Sequence, residues 1–252
     1  MDNDFNYDNI GEILSNIPDN YKILEETIDI EVQKDFYESS KSLEFNAELD
    51  AIDILIENLN STALSVADKK STLQKLAMID SVDAFRALEA YSLKPQTELK
   101  DWAVLSLQQS RMIMHTSLLD EQQVFISTGL GGKNDKLRYF LIFPFNEIID
   151  INTIQKNSLE QELKYFLGRH GAELEEINFQ NGFATGLALI PLKAPVAEII
   201  AETLYECNQY GNFLSDDVII TNIKKFNITE ILEIIKNHEQ QNKSGITDIA
   251  VE

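Results

Sequence analysis

The side chains best suited to chemistry in this chain fall into a few short clusters. Glu48, Asp50, Asp53 and Glu57 place four carboxylates within ten residues, a density that a hard cation such as Ca²⁺ would need. No other ligand type and no glycine-containing loop accompanies them, so they read as a solvated helix face. Thr128-Gly129-Leu130-Gly131-Gly132-Lys133 has the make-up of a phosphate cradle. A P-loop needs a glycine five residues before its Gly-Lys pair and a Ser or Thr after it. Ser127 and Asn134 stand at those two places, and the run lies between strands rather than ahead of a helix. It reads as a hairpin tip, with Gly131, Gly132 and Lys133 as candidates for touching a partner. Asn181-Gly182-Phe183-Ala184 shares the opening of an RNA-binding strand motif, but Thr185 and Ala188 fill the places where aromatic rings would stack on bases.

The remaining reactive residues are scattered. His115, His170 and His238 lie in three different predicted elements, and no two share zinc-ligand spacing. His170 follows Arg169 at a predicted helix end, where a cation complements the helix dipole. No Gly-x-Ser-x-Gly elbow is present. Cys207 is the single cysteine, which excludes an internal disulfide, and its helix-period surroundings predict a buried thiol. Trp102 sits in a run that is apolar nearly all round and is expected in the core. These readings nominate no catalytic, cofactor-binding or metal-binding residue.

Composition narrows the partners. The 252 residues carry 42 acids and 21 bases, a net charge of −21. Residues 1–60 hold 16 acids and 3 bases, whereas residues 61–120 are balanced at 7 and 7. Such a surface repels nucleic acid and anionic membrane, so neither is expected as a partner. Asp50, Asp53 and Glu57 belong to this acidic arm and are expected to draw a basic protein partner. The opening residues lack a signal peptide's basic and apolar regions, no run approaches a membrane span, and a cytoplasmic location is expected.

Apolar periodicity then supplies the elements. Residues 1–121 read as an acidic helical region, 122–240 as an α+β domain, and 241–252 as a loose polar tail. Ile10, Ile13, Leu14 and Ile17 fall at helical spacing before Pro18. The four-residue recurrence of Leu24, Ile28, Val32 and Phe36 predicts a helix over Tyr21–Ser40, although Thr27–Val32 also alternates as a strand would. Further helices are predicted over Asn46–Asn60, Asp68–Ile79, from Ser81 as N-cap, and from Thr97 to about Leu118. Past Gln122 the texture changes. Val124–Ile126 and Leu137–Phe145 are predicted to pair as a hairpin. Ser158–Arg169 reads as a helix, and Leu174–Phe179 and Phe183–Ile190 as strands joined by Asn181-Gly182, the signature of a type I′ turn. A helix over Val196–Tyr210, a strand over Val218–Phe226 and a helix opened by the capping box at Asn227–Glu230 complete the pattern. From Leu137 the order is β-α-β-β-α-β, the split βαβ or ferredoxin-like arrangement, with helices on one face of an antiparallel sheet.

Leu76-Ala77-Met78-Ile79-Asp80, Ala84-Phe85-Arg86-Ala87-Leu88 and Glu98–Leu107 resemble HEAT-type helical repeats. The match spans about residues 68–118, with Leu99-Lys100 where the family often has a Val-Arg pair. The resemblance implies a short helical stack within an α+β chain, and a role in binding another protein. The expectation is therefore a non-catalytic adaptor without a cofactor, in which a free sheet edge offers a route to a homodimer. The alternative is an enzyme or small-ligand sensor with its site in the C-terminal α+β domain.

Overall fold

The computed structural model describes residues 17–18, 20–46, 50–119, 124–146 and 151–244. The predicted run Ile10–Leu14, Glu48 and the tail Ile246–Val251 lie outside them. The chain is of the α+β class and divides into two compact units, Pro18–Ser127 and the segment from Thr128 onward.

The first unit is helical. A two-residue strand β1 (Lys22–Ile23) leads to α1 (Ile30–Lys41), α2 (Ile52–Asn60), α3 (Val66–Met78) and α4 (Val82–Leu93). A 3-10 turn (Thr97–Leu99) then opens α5 (Lys100–Leu119), and β2 (Phe125–Ile126) closes the unit. Asp29 explains why α1 begins later than the apolar spacing predicts. Its carboxylate accepts from the Glu31 N–H at 2.8 Å, which caps the helix there and leaves the preceding residues outside it. Ser81 caps α4 as expected, but Val82, predicted inward, is half exposed in the first turn. Leu55, Leu59, Leu73, Leu76, Leu88 and Ala103 fill the core with Phe36, whose ring meets Trp102 edge-on at 5.2 Å.

Val124–Ile126 does not form the predicted hairpin. β2 pairs in parallel with β1, at Lys22↔Phe125 and Ile23↔Ile126, and so belongs to the helical unit. The true hairpin joins β3 (Gly132–Lys133) to β4 (Lys136–Pro144), and its tip is Asn134-Asp135. Both tip residues have positive φ (52° and 57°), as a type I′ turn requires. The glycines before it are packed rather than a free tip. A Cβ on Gly129 would stand 1.7 Å from the Ile223 carbonyl oxygen.

The second unit continues through α6 (Thr153–Arg169), β5 (Glu173–Gln180), β6 (Phe183–Pro191), α7 (Val196–Asn208), β7 (Ile219–Thr221) and α8 (Ile228–Ser244). The sheet runs β3-β4-β6-β5, with β7 paired to β4, and every pairing is antiparallel. Leaving aside β3, the order β7-β4-β6-β5 is that of a split βαβ sheet. The turn at Asn181-Gly182 joins β5 to β6 without a slip, but only Gly182 has positive φ (88°), so the turn is not type I′.

Strand alternation sorts the apolar residues to two faces. Leu141, Phe143, Ala184 and Ala188 pack against Leu159 and Leu163 of α6 and Ile199 and Leu204 of α7. Phe140, Ile142, Phe183 and Leu187 face the other way, toward Leu130 and Ile231 of α8. The last helix thus lies on the face opposite the two crossover helices.

Candidate ligand groove

On the α8 face, the sheet is covered only in part. Asn227 fixes where the helix begins. Its side chain accepts from the Glu230 N–H at 3.0 Å, while the Glu230 carboxylate accepts from the Asn227 N–H at 2.8 Å. The residues just before this box are thereby held against the strands, with the Phe226 ring 6.4 Å from that of Phe140. Between them and β5 lies an open groove of about 730 Å³. Its apolar lining includes Phe140, Phe183, Leu187, Phe226, Ile228 and Ile231.

The polar lining comes chiefly from β5. Its pairing with β6 shifts register between Leu174 and Glu176, a bulge that resets the alternation. From there Glu176, Asn178 and Gln180 line the groove, while Ile177 and Phe179 pack toward the α6 and α7 layer. Thr185 of β6 and Asn227 and Thr229 at the start of α8 add further hydrogen-bonding groups. Glu176 is the best-fixed of these. Asn178 Nδ2 donates to its Oε1 at 2.7 Å, and Lys225 Nζ lies 3.2 Å from its Oε2. The Asn178 bond first, and then Lys225, hold the Glu176 carboxyl below the usual range. It therefore stays ionised and serves as a hydrogen-bond acceptor, not as a neutral acid.

β5 is also an edge strand, and its three glutamates are all engaged. Glu173 pairs with Lys136, Glu175 with Arg138 at 2.6 Å, and Glu176 with Lys225. A charged and bulged edge resists pairing with another strand.

The residues nominated from sequence lie elsewhere. Gly131 and Gly132 are buried, and Lys133 is exposed beside the hairpin tip. Asp50 is occupied by Lys75 at 2.8 Å, whereas Asp53 and Glu57 are exposed on α2. The two sets belong to different units, and neither lines the groove. Among the described residues, no three His, Cys, Asp or Glu side chains group as metal ligands. Cys207 is buried, as expected, and burial pushes its thiol up to about 11. No helix among the described residues is long and apolar enough to cross a membrane. Sequence reasoning missed Glu176, Asn178, Gln180 and Lys225. The usable signal was the polar alternation of Glu176, Asn178 and Gln180 against Ile177 and Phe179, which a one-sided sheet does not distinguish from an ordinary wet face.

No family model and no curated protein matches the chain. Among solved structures it is similar to a protein of Deinococcus radiodurans R1 assigned as a transposase, at 14% identity and a TM-score of 0.34, over 40% of this chain and 90% of that one. It is also similar to a REP-associated tyrosine transposase bound to a REP hairpin, at 10% identity and a TM-score of 0.32, over 45% of this chain and 71% of that one. The expectations of a non-catalytic protein-binding scaffold and of no nucleic-acid partner are corrected on this finding, since both structures are of proteins described as transposases and one holds a hairpin. Likenesses of this size assign no activity to the chain.

Proposed function

We propose that the unit from Thr128 onward is a sensor or an enzyme for a small organic ligand, with its site in the groove between β5, β6 and the start of α8. The observation that carries this reading is convergence: Glu176, Asn178, Gln180, Thr185 and Asn227 line one recess with an apolar floor. Glu176 adds an acceptor whose position is set by Asn178 and Lys225 before any ligand arrives. A ligand with an apolar body and a donor-bearing edge fits this lining. A cytoplasmic location suits the reading, given a lone buried thiol. For the helical unit, the resemblance of residues 68–118 to HEAT-type repeats is proposed only as a description of how its helices stack.

The test is a thermal-shift screen of small polar metabolites against the full chain, followed by calorimetry on Glu176→Gln and Thr185→Val. The expected result is a compound that raises Tm and binds about tenfold or more weakly to Glu176→Gln, the loss of one charge-assisted hydrogen bond. Binders indifferent to both substitutions would remove the groove as the site. Tight binding of a single-stranded oligonucleotide, lost in Phe226→Ala, would replace the small ligand with a nucleic acid.

A further inference from the structure

The floor of the groove under α8 holds a buried hydroxyl among apolar side chains. β6 turns Phe183, Thr185 and Leu187 to this face, and Thr185 stands between the other two, with Ile142 of β4 opposite it in the ladder. Thr185 is 9% exposed, and its hydroxyl makes no hydrogen bond among the described residues. A buried hydroxyl without a partner costs stability, and a valine of the same shape would fill the place without that cost. Packing alone therefore does not account for Thr185, whose side chain lines the groove.

Its cross-strand neighbour completes the arrangement. Asn178 of β5 stands directly opposite Thr185, where side chains on one face come within about 5 Å at Cβ. The Asn178 amide donates to Glu176 and not to Thr185. A ligand atom seated between the two meets a hydroxyl on one side and an amide on the other, and each of these both donates and accepts. Gln180 repeats the amide along β5, and Thr229 repeats the hydroxyl at the start of α8. The charged lining is one acid and one base, Glu176 and Lys225, 3.2 Å apart, so the groove favours a ligand without net charge. Hydroxyl groups on a neutral ligand match this lining, because each of them also donates and accepts. The C–H surface of a saturated ring matches the other wall, where Phe226, Ile228 and Ile231 stand.

We propose that the groove binds a neutral polyhydroxylated ring, a monosaccharide or cyclic polyol, with one hydroxyl seated between Thr185 and Asn178. The inference rests on the reading of the groove as a small-ligand site and adds the class of ligand.

The experiment titrates D-glucose, D-ribose and myo-inositol into the full chain, with saturation-transfer NMR as the readout. At least one should bind saturably. Its binding should weaken about two- to tenfold in Thr185→Val, the loss of one neutral hydrogen bond, and stay within about twofold in Thr185→Ser, which keeps the hydroxyl. Without ligand, Thr185→Val should melt no lower than the unsubstituted chain, since it removes a buried hydroxyl that has no partner. A lower Tm would overturn the proposal, because the hydroxyl would then serve the fold. Equal weakening by valine and serine would overturn it by removing the hydroxyl as the contact. Absence of saturable binding by all three compounds would overturn the class of ligand. In that case the groove itself stands if a compound from the thermal-shift screen binds in a way that Glu176→Gln weakens. A polyol that binds with neither Glu176→Gln nor Thr185→Val having any effect lies elsewhere, and the groove falls with the proposal.

Discussion

The two units solve the same problem in different ways. In the α+β unit the backbone satisfies itself: β4 and β6 pair without a break from Lys136↔Pro191 to Pro144↔Phe183. The helical unit has only the two-residue pairing of β1 with β2 among its described residues, so its connecting segments need other partners. Side chains supply them. Gln74 Nε2 donates to the Phe36 carbonyl at 2.8 Å and to Ser39 Oγ at 2.7 Å, joining α3 to α1. Gln33 Nε2 donates to the Ile28 carbonyl at 2.8 Å, which holds the segment leading into α1. Gln74 and Gln33 are 2% and 3% exposed, so these bonds work where water cannot replace them. The α+β unit fastens its chain in the same way only beyond its ladders, as Asn146 and Asn208 do at Leu214, and leaves the rest to the sheet. The sheet unit should therefore suffer most from added atoms near its backbone, and the helical unit from lost side-chain donors.

The largest effect is expected at Gly129. An alanine there would place Cβ against the backbone of Ile223, beside the bond from the Leu130 N–H to the Asn222 carbonyl at 3.0 Å. No rotamer change relieves a clash between two backbones. Gly129→Ala should cost about 3 kcal/mol or more, at the upper end for overpacking. Gly168→Ala, in α6 with open space around it, should instead gain up to about 1 kcal/mol. Urea unfolding of the two variants checks the pair. Similar stabilities would mean that the approach of residue 129 to residue 223 is not a fixed part of the fold.

A smaller loss is expected in the helical unit. Gln74→Ala removes both bonds between α3 and α1 and should cost about 1–2 kcal/mol, the net worth of two hydrogen bonds, since the Phe36 carbonyl keeps Ser39 Oγ as a donor at 3.1 Å. Trp102 is the only tryptophan and lies in this unit's core, so its fluorescence follows this unit directly. If Gln74→Ala leaves the fluorescence-detected transition where it was, buried amides are not what fastens the helices.

The contrast also explains what was legible in the sequence. Leu73, Leu76, Ala77 and Leu88 were readable as core because helical period and burial agree. The capping box at Asn227–Glu230 was readable because its signal is confined to four residues. The order of strands and helices from Leu137 gave the sheet arrangement. Val124–Ile126 was misassigned because an apolar triplet carries no mark of its partner, and β1, its actual partner, is about a hundred residues away. Asn181-Gly182 forms the expected hairpin with a different turn, while the type I′ geometry sits at Asn134-Asp135, which lacks the glycine that usually marks it. The groove was not legible because its polar residues alternate on β5 as on any solvated strand. Only the placement of α8, a tertiary fact, turns that face into a recess.

The smallest expected effect tests whether charge as well as amide fastens the helical unit. Burial alone would raise the pKa of Asp50, but the Asn46 N–H at 2.6 Å and the Lys75 ammonium at 2.8 Å outweigh it and hold the carboxyl below the ordinary 3.8. A carboxyl whose folded pKa is depressed binds protons more weakly in the folded chain than in the unfolded one. Its contribution is thus complete above the unfolded value and disappears as pH falls through the folded one. Asp50→Asn should be less stable by about 1 kcal/mol at neutral pH. Its stability, followed through Trp102, should then converge on that of the unsubstituted chain as the pH falls below the ordinary 3.8 and through the lower folded value, where the aspartate loses its charge. The acids elsewhere in the chain protonate in both proteins, so the difference between the two curves isolates Asp50. A constant gap from neutral to acidic pH would show that Asp50 holds its place by shape and neutral hydrogen bonding, and that amides alone supply the fasteners of the helical unit.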